Sequence, residues 1–324
     1  MGTPILVTGA AGFIGMHTAL RLLERGETVI GVDNFTPYYD PALKEARAER
    51  LAAHAGFRMV RADIADHEAI NTLVRDSGVR RIIHLAAQAG VRYSLENPFV
   101  YERSNLGGHL SILEAARHNG VTHLVYASSS SVYGDRPIDG AGFREDDLTV
   151  SPVSLYAATK RSCELLSQSY ATLYGFPQSG LRFFTVYGPW GRPDMAYFSF
   201  TQKILSGEPI EVYGEGRMAR DFTYVDDIVD GVVGVLDRPP AQGGHEVYNI
   251  GDSSPVGLME MISTLERALG VEARKIMRPM QPGDVTATYA DVSKLNALTG
   301  YAPKVALAEG LERFVRWWRD YEAR

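Results

Sequence analysis

The sequence predicts an α/β protein built on a doubly wound, parallel β-sheet. Short β-rich segments alternate with helical segments along much of the chain. A glycine-rich turn follows the first β-rich segment, and a run of serines follows a later one, at the strand ends where such sheets bind ligands. With 324 residues, 45% of them hydrophobic, the chain can form a large α/β core and a smaller lobe.

The predicted strands and helices follow one another in a regular order. Strands are predicted at residues 5–8, 28–32, 57–60, 81–85, 123–128, 181–184 and 246–250, which are short β-rich segments. Helices are predicted at residues 13–25, 106–118, 154–174 and 224–236, and residues 255–324 are expected to be mostly helical. This alternation predicts a parallel sheet of about seven strands.

The character of the sequence changes after Tyr187. Residues 188–193 read Gly-Pro-Trp-Gly-Arg-Pro, and a helical segment that ends near Leu205 and a turn at residues 206–209 come next. Glycine and proline interrupt regular structure. This part of the chain is therefore predicted to form a cap over the sheet.

Composition and charge argue against several kinds of partner. The formal charge of -6 provides no basic face for a nucleic acid, and no apolar segment approaches the roughly 20 residues needed to cross a bilayer. The eight histidines are scattered without the spacing of a metal site. A single cysteine, Cys163, and the lack of a charged and apolar leader before the first strand favour the reducing cytoplasm.

A glycine-rich turn joins the first predicted strand to the first helix. Gly9, Gly12 and Gly15 have the spacing GxxGxxG, with Phe13 and Ile14 between the last two. Glycines here allow a tight turn, a close approach of a pyrophosphate to the backbone and close packing of the helix, whose N-terminus then faces the phosphates. The segment predicts a Rossmann domain that binds a dinucleotide.

Acidic residues at two strand ends refine this prediction. Asp33 ends the second strand, where a carboxylate accepts hydrogen bonds from both hydroxyls of the adenosine ribose and repels a 2′-phosphate. This position favours NAD over NADP and disfavours a reductase that consumes NADPH. Asp63 and Ile64 follow the third strand and are placed to contact the adenine, although Asp63 equally fits the cap of the next helix.

A tyrosine, a lysine and a serine form the candidate reaction centre. Tyr156 and Lys160 lie one turn apart on one face of a predicted helix. An ammonium near a phenol stabilises the phenolate, which can then act as a base. Ser129 belongs to a run of serines at the carboxyl end of a strand. Each pattern alone also fits an ordinary helix pair or a serine-rich turn; together they predict hydride chemistry on an alcohol.

These residues resemble the extended short-chain dehydrogenase/reductase family over essentially the whole chain. The shared positions are Gly9, Gly12, Gly15, Asp33, Asp63, Leu85-Ala86-Ala87, Asn105, Ser129, Tyr156, Lys160 and Leu181-Arg182-Phe183-Phe184. Similarity to its nucleotide-sugar enzymes is carried by Val132-Tyr133-Gly134, Tyr187-Gly188-Pro189 and Arg220-Asp221-Phe222. Resemblance to its UDP-glucuronate 4-epimerases is carried by residues 191–196, Tyr38-Tyr39-Asp40-Pro41 and Gln281-Pro282-Gly283-Asp284.

The resemblance implies a role for each matching residue. Tyr156 is expected to take the proton of the sugar 4-hydroxyl, Lys160 to stabilise the phenolate and bind the nicotinamide ribose, and Ser129 to hydrogen-bond the same sugar oxygen. The expected NAD-binding residues are Gly9, Gly12, Phe13, Ile14, Gly15, Asp33, Asn34, Asp63, Ile64, Leu85, Ala86, Ala87, Asn105, Tyr156, Lys160 and Phe183. The expected substrate-binding residues are Arg92, Ser129, Ser130, Ser131, Thr185, Arg192, Tyr213, Arg220 and Arg278.

A UDP-sugar substrate is implied by the same comparison. Arg220 and Arg278 are expected to neutralise its diphosphate, because two buried phosphates need cations. Tyr213 is expected to lie against the uracil ring. Arg278 equally fits a solvated surface arginine.

The residues after Ser129 distinguish among the reactions of this family. Its dehydratases carry acidic residues directly after the catalytic hydroxyl, and its decarboxylases typically carry a glutamate two positions after it. Here these positions are Ser130 and Ser131. Without such an acid, the sequence resembles the enzymes that return hydride to the other face of a 4-keto sugar. The resemblance therefore implies epimerisation at C4 with tightly bound NAD.

A carboxylate on the sugar is suggested by Thr185, which stands where the neutral-sugar epimerases usually have asparagine. Ser130, Ser131, Thr185 and Arg192 can together receive a C6 carboxylate, although Arg192 also fits a residue that only fixes its loop. Oxidation at C4 gives a β-keto acid that loses carbon dioxide when its carboxylate stands perpendicular to the carbonyl plane, so the site must hold the carboxylate equatorial. UDP-glucuronate and UDP-galacturonate are the implied pair.

Three alternatives stay open: a UDP-glucose/UDP-galactose 4-epimerase, a UDP-glucuronate decarboxylase, and a catalytically silent NAD-sensing protein on the same fold. The retained Tyr/Lys pair and arginines argue against the last. We expect an NAD-binding Rossmann domain at 1–188 plus 222–253 and a smaller C-terminal nucleotide-sugar-binding lobe at 189–221 plus 254–324. The family also implies a homodimer with a four-helix interface, from helices 106–118 and 156–174.

Overall fold

The computed structural model describes residues 2–136, 141–281 and 283–323. Pro282, part of the Gln281–Asp284 motif, lies outside the described residues. In the described part, the strands are β1 (Ile5–Thr8), β2 (Val29–Asp33), β3 (Phe57–Arg61), β4 (Arg81–His84), β5 (His123–Ser129), β6 (Gln178–Phe183), β7 (Thr185–Tyr187), β8 (Ile210–Tyr213), β9 (Ala219–Tyr224), β10 (His245–Ile250), β11 (Pro255–Gly257) and β12 (Lys275–Arg278).

The helices connect these strands on both sides of the sheet. Those described are α1 (Phe13–Glu24), α2 (Pro41–Ala52), α3 (His67–Ser77), α4 (Tyr93–Glu96), α5 (Pro98–Tyr101), α6 (Gly108–His118), α7 (Leu155–Tyr174), α8 (Ala196–Leu205), α9 (Val225–Leu236), α10 (Leu258–Leu269), α11 (Ser293–Thr299) and α12 (Leu307–Glu322). A π-helical turn at Glu102–Gly107 precedes α6, so the helix predicted at 106–118 becomes α-helical only at Gly108. In this described part, no helix combines the length and apolar character needed to span a bilayer.

The central sheet has seven parallel strands in the order β10-β6-β5-β4-β1-β2-β3. This confirms the predicted doubly wound sheet of about seven strands. The order reverses between β1 and β4, because the chain builds outward from β1 to β3 and then returns to place β4 on the other side of β1. The carboxyl ends of β1 and β4 therefore border a crevice, where sheets of this type bind ligands.

Alternating side chains of the strands build a core on each face of the sheet. On one face, Ile5 and Val7 of β1 join a cluster with α1 and α9. On the other face, Leu6 joins a cluster that includes Ile70 of α3 and Ile112 of α6. Because β1 is buried on both faces, its sequence is an uninterrupted apolar run rather than an alternating one.

A second layer of structure forms outside the central sheet. A three-stranded sheet of order β11-β9-β7 and a two-stranded sheet of β8 and β12 form there. Aromatic side chains bind this part together: Phe198 of α8 packs edge-on against Trp318 of α12, with ring centroids 4.8 Å apart. Tyr197 packs against Phe314 in the same way at 4.9 Å. The strands of this layer bring β7, β8 and β9 to one wall of the crevice.

Candidate active site

The glycine-rich turn is packed so closely that it excludes side chains. Gly9 has a φ of 71°, and a Cβ there would lie 2.8 Å from the backbone nitrogen of Ala86. A Cβ on Gly15 would overlap the carbonyl oxygen of Gly9, and one on Gly12 would lie 2.9 Å from the same oxygen. Gly12 also begins α1 without a side-chain cap. The first amides of α1 are thus available to an anion in the crevice.

The carboxylate at the end of β2 has a lysine partner. Asp33 is buried, and its Oδ1 accepts hydrogen bonds from the backbone N–H of Phe35 at 2.8 Å and from Nζ of Lys44 at 3.0 Å. Lys44 lies on α2 and is itself buried. The predictions from sequence missed Lys44, because nothing in the glycine motif points to a cation on the next helix. The ion pair fixes the Asp33 side chain in the wall of the crevice.

Nearly all of the expected cofactor residues line one cavity of about 410 Å³ at this end of the sheet. Those lining it are Gly9, Gly12, Phe13, Ile14, Gly15, Asp33, Asn34, Asp63, Ile64, Leu85, Ala86, Ala87, Tyr156, Lys160 and Phe183. Asn105 is the one expected cofactor residue that is not among the described residues lining this cavity. Its side chain is buried and bonds both the N–H and the carbonyl of Gln88, at 2.8 and 3.1 Å. Asn105 therefore supports the wall from behind.

A second acidic residue, Asp63, lines this cavity after the end of β3. Asp63 accepts a hydrogen bond from the backbone N–H of Ala65 at 2.9 Å. Its other carboxylate oxygen forms an ion pair with Arg103 at 2.9 Å. Arg103 also lines the cavity. The cap of the next helix, α3, is Asp66 rather than Asp63. Asp63 therefore organises the loop that follows β3 and not the helix end.

The candidate reaction centre lies where β5 ends beside α7. Lys160 is buried, and its Nζ donates to the carbonyl of Ala127 on β5 at 2.8 Å. Ser129 ends the strand, and its Oγ accepts from the hydroxyl of Ser131 at 2.9 Å. Tyr156 stands in the first turn of α7, whose N-cap is the side chain of Ser154. Strand end and helix start thus bring the three predicted residues to one place.

A buried ionic network holds β5, β6 and α7 in this arrangement. The carboxylate of Glu164 on α7 accepts the hydroxyl of Ser128 at 2.6 Å and two guanidinium N–H groups of Arg182, each at 2.9 Å. Although burial disfavours the charged form, Arg182 holds the pKa of Glu164 below its usual range. Because Ser128 precedes Ser129 and Arg182 precedes Phe183, the network fixes two cavity walls at once. Motif reasoning assigned no role to Glu164.

Most of the expected substrate residues line a second cavity of about 470 Å³, which adjoins the first. Those lining it are Arg92, Ser129, Ser130, Ser131, Thr185, Arg192, Tyr213 and Arg220. Ser129, Tyr156, Phe183 and Arg192 line both cavities. The candidate reaction centre therefore stands at the junction of the two spaces.

Arg278 is not among the described residues that line this cavity. Its guanidinium forms an ion pair with Glu211 at 2.9 Å, and the Glu211 carboxylate also accepts the hydroxyl of Tyr213 at 2.8 Å. Parallel pairing of β12 with β8 sets Arg278 directly beside Tyr213. Arg278 thus supports the tyrosine at the rim of the cavity.

Arg220 presents a partly buried positive charge to the second cavity. Its guanidinium donates to the carbonyls of Ala219 and Val285, each at 2.8 Å, and within the described residues it has no carboxylate partner within ion-pair distance. Burial lowers the pKa of Arg220, although Asp284 and Asp135 act in the opposite direction. A partly buried cation whose partners are carbonyl oxygens and the sulfur of Met218 favours an incoming anion.

Arg192 reaches the junction of the cavities as part of a small cluster. Its Nε donates to Oδ1 of Asp194 at 3.0 Å, and the hydroxyl of Tyr38 donates to Oδ2 of Asp194 at 3.2 Å. Although burial disfavours the charged form, Arg192 holds the pKa of the Asp194 carboxyl below its usual range. The sequence motifs contained Tyr38 and Asp194, but their direct contact with Arg192 was not predicted.

Arg92 lies across the outer end of the second cavity. Its guanidinium stacks over the ring of Tyr213, 4.7 Å from the centroid, and forms an ion pair with Asp284 at 3.1 Å. The loop after β4 is thereby joined to β8 and to the segment before residue 286. The rim is thus built from both parts of the fold.

Comparisons with known proteins agree with this geometry. The chain matches the NAD dependent epimerase/dehydratase family over residues 5–251. It is 47% identical over 329 residues to a probable UDP-glucuronate 4-epimerase of Rhizobium meliloti. The aligned region covers 97% of this chain and 96% of that protein.

Two solved structures extend the comparison to the fold. A UDP-glucuronic acid 4-epimerase from Bacillus cereus, in complex with UDP-glucuronic acid and NAD, has a TM-score of 0.92 and 36% identity over 98% of this chain and 99% of that chain. A UDP-glucose 4-epimerase from Thermotoga maritima, with UDP-glucose, has a TM-score of 0.89 and 30% identity over 98% of this chain and 99% of that chain. These matches confirm the resemblance noted in the sequence, and the chain belongs to the NAD dependent epimerase/dehydratase family.

Proposed function

We propose that this protein is an NAD-dependent enzyme that interconverts UDP-glucuronate and UDP-galacturonate by epimerisation at C4. The observation that carries the proposal is the junction of two cavities at Tyr156 and Ser129. The first cavity has the glycine turn and the acidic strand end suited to a dinucleotide, and the second has a partly buried arginine, Arg220, suited to an anion. A sugar oxygen at the junction is within the reach of both the base and the cofactor.

The residues of the first cavity fit NAD. Side chains are excluded at Gly9 and Gly15, so a pyrophosphate can approach the backbone at the start of α1. Asp33, fixed by Lys44, suits an unphosphorylated ribose. Bound NAD supplies a reversible hydride acceptor for C4 of the sugar.

The protein's own residues handle the proton and the sugar oxygen. Tyr156 takes the proton from the 4-hydroxyl and later returns it, so no net proton is consumed. Lys160, anchored on the carbonyl of Ala127, supplies the positive charge that stabilises the phenolate and binds the nicotinamide ribose. Ser129 donates a hydrogen bond to the same sugar oxygen and holds it at the junction.

The second cavity binds the nucleotide more firmly than the sugar. Arg220 neutralises the diphosphate, and Tyr213 lies against the uracil ring, supported by Arg278 through Glu211. Arg92 closes the outer end. Because the sugar must turn over to present its other face, affinity concentrated on the nucleotide leaves the ring free to rotate.

The sugar end of the cavity suits a carboxylate without offering a strong acid. Ser130, Ser131 and Thr185 provide small hydroxyl donors, and Arg192 provides a positive charge moderated by Asp194. Hydrogen bonds from these groups hold the C6 carboxylate equatorial. This favours epimerisation over decarboxylation, and it favours a uronate over the neutral sugar of a UDP-glucose 4-epimerase.

The first test is a time course by proton NMR with UDP-glucuronate as the only added substrate. We expect the signals of UDP-galacturonate to appear until the two isomers reach a constant ratio, without added NAD, because the cofactor is restored in each turnover. UDP-glucose serves as the neutral-sugar control. Accumulation of UDP-xylose, or faster turnover of UDP-glucose, would assign the chain to one of the two rival reactions.

The hydroxyl donors around the carboxylate give a second prediction. In T185A and S130A, we expect the fraction of turnovers that release carbon dioxide to rise several-fold, because the carboxylate of the 4-keto sugar is held equatorial less firmly. Chromatography of the UDP-pentose product measures this partition. S199A is a matched control, since Ser199 lines the same cavity but its hydroxyl bonds the carbonyl of Ala196. If the fraction of turnovers that release carbon dioxide is unchanged in both variants, these hydroxyls do not hold the carboxylate.

We also propose a division into two functional parts. Residues 1–188 plus 222–253 hold NAD, and residues 189–221 plus 254–324 bind the nucleotide-sugar. The seven strands of the parallel sheet come from the first set. Strands β8, β11 and β12 come from the second set, β8 lines the second cavity, and β7 and β9 join the two parts.

A homodimer is the assembly that we propose, with α6 and α7 of each copy forming a four-helix interface. Leu110 on α6 and Leu165 and Leu173 on α7 are exposed apolar side chains, which supports burial of these helices against a second copy. We place the enzyme in the cytoplasm, because its single cysteine, Cys163, is a buried free thiol.

A further inference from the structure

Arg47, in the middle of α2, is a fully buried charge to which the proposed reaction assigns no role. Its side chain has 0% exposure. All five guanidinium N–H groups are used, since the carbonyls of Ala11, Trp190 and Gly191 and the hydroxyl of Tyr39 accept them at 2.7 to 3.1 Å. A guanidinium with every donor satisfied is held in one orientation.

The three carbonyl acceptors belong to two different loops. Ala11 lies in the glycine-rich turn, next to Gly12 at the start of α1. Trp190 and Gly191 lie in the loop that carries Arg192, which lines both cavities. One planar side chain therefore joins the loop at the proposed pyrophosphate site to the loop at the proposed sugar site.

The Trp190 loop needs such a restraint. Trp190 has a φ of 62°, a left-handed conformation that is strained for a bulky residue. Its carbonyl accepts two of the five hydrogen bonds, from Nε at 3.1 Å and from the terminal nitrogen at 2.7 Å. A Cβ on Gly191 would overlap the hydroxyl of Tyr197. The loop is thus strained and tightly packed, and Arg47 fixes it from the cofactor side.

The charge of Arg47 also lacks a carboxylate partner. The four acceptors of its five hydrogen bonds are three carbonyls and a hydroxyl, and no ion pair to it exists in the described part of the chain. A buried guanidinium without a counter-charge is costly. An anion bound at the neighbouring glycine turn would offset that cost, so binding of the cofactor and fixing of the Trp190 loop stabilise each other.

We propose that Arg47 is a positioning residue that couples occupancy of the NAD cavity to the placement of Arg192 in the substrate cavity. This inference rests on the proposed function for the identity of the two ligands. It concerns a residue outside both cavities, since Arg47 is absent from the described lining of each. Its effect must therefore pass through the groups that it bonds, which are the two loops and Tyr39, a residue that lines the first cavity.

The test compares R47K with R50M, a control on the same helix whose side chain is exposed. Lysine keeps the positive charge but has three donors in place of the planar fork. We expect R47K to retain less than about half of the wild-type NAD after gel filtration, and to show a KM for UDP-glucuronate about tenfold higher with kcat changed less than about threefold. R50M should match the wild type in all three measurements.

A double-mutant cycle separates coupling from general damage. If Arg47 acts through Arg192, the KM of R47K/R192K should rise by much less than the product of the two single effects. Fully multiplicative effects, or a folded R47K with wild-type NAD content and KM, would overturn the proposal. Should R47K fail to fold, Y39F removes one of the five bonds and is expected to give a smaller NAD loss in the same direction; wild-type NAD content in Y39F would then count against the coupling.

NAD content does not depend on the identity of the sugar. Extraction of the bound nucleotide, together with the NAD-induced rise in thermal midpoint, reports on Arg47 even if UDP-glucuronate is not epimerised. If UDP-glucuronate is not epimerised in the NMR time course but R47K still loses bound NAD as expected, only the proposed substrate is rejected. If UDP-glucuronate is epimerised by the wild type but R47K keeps wild-type NAD content and KM, only the coupling is rejected.

Discussion

Replacing Tyr156 by phenylalanine is expected to lower kcat for epimerisation by about a thousandfold, since a positioned proton acceptor typically contributes 10²–10⁴. The substitution removes only the phenolic oxygen, and the ring keeps its edge-on contact with Tyr101, whose centroid is 6.2 Å away. Binding of the substrate should change little, because the diphosphate contacts lie elsewhere in the cavity. Quenched time points analysed by NMR measure kcat, and calorimetry measures the affinity for UDP-glucuronate.

Tyr174 provides the matched control for this substitution. It lies at the other end of α7 and is half-exposed, so Y174F tests the removal of a phenolic hydroxyl from the same helix. We expect Y174F to turn over like the wild type and Y156F to retain its NAD. A Y156F enzyme with more than about a tenth of wild-type kcat would assign the base to another group, because less than 1.4 kcal/mol of the barrier would then depend on this oxygen.

The sequence could predict the reaction centre because its residues are tied to strand ends and helix turns. β1 is recognisable as an apolar run that the glycine turn follows directly, and Asp33 and Ser129 are the last residues of β2 and β5. Positions of this kind meet at one edge of a parallel sheet whatever the rest of the chain does. The seven-stranded sheet and the convergence of Ser129, Tyr156 and Lys160 follow from that rule.

The strands of the second layer were beyond prediction for a different reason. β7, β11 and β12 have three or four residues each, too few to show a period. β7 and β11 pair with β9, and β12 pairs with β8, so their formation depends on strands distant in sequence rather than on local propensity. The local sequence after Tyr187 could therefore indicate a cap over the sheet from its glycines and prolines, but not the strands that build it.

Buried charges were the other feature that motifs could not reveal. Lys44, Arg47 and Glu164 look like the ordinary polar positions of amphipathic helices, yet all three are buried. Each is satisfied by a group distant in sequence, such as the carbonyl of Trp190 for Arg47 or Arg182 for Glu164. Only the fold identifies such partners. Through them, Lys44, Arg47 and Glu164 fix the positions of the walls of the two cavities.

The glycine turn gives the second prediction of large effect. In G15A, the new Cβ would overlap the carbonyl oxygen of Gly9 and lie 2.7 Å from its carbon, and both atoms belong to the backbone of the turn. The turn or α1 must therefore shift. We expect the purified variant to contain less than about a tenth of the wild-type NAD, and its free energy of unfolding to fall by about 1–3 kcal/mol, as for overpacked cores. Extraction of bound nucleotide and denaturant unfolding measure the two quantities.

G257A is the control for an added methyl group. Gly257 has no heavy atom within 4 Å of its ideal Cβ position and a φ of -65°, so alanine fits without a shift. Its NAD content should match that of the wild type. The contrast tests whether the turn binds through its backbone: a bulkier side chain at Gly15 is harmful because it displaces the amides at the start of α1, not because it fills the cavity. G15A with normal NAD content would therefore mean that the pyrophosphate is held by side chains, and the α1 terminus would lose its proposed role.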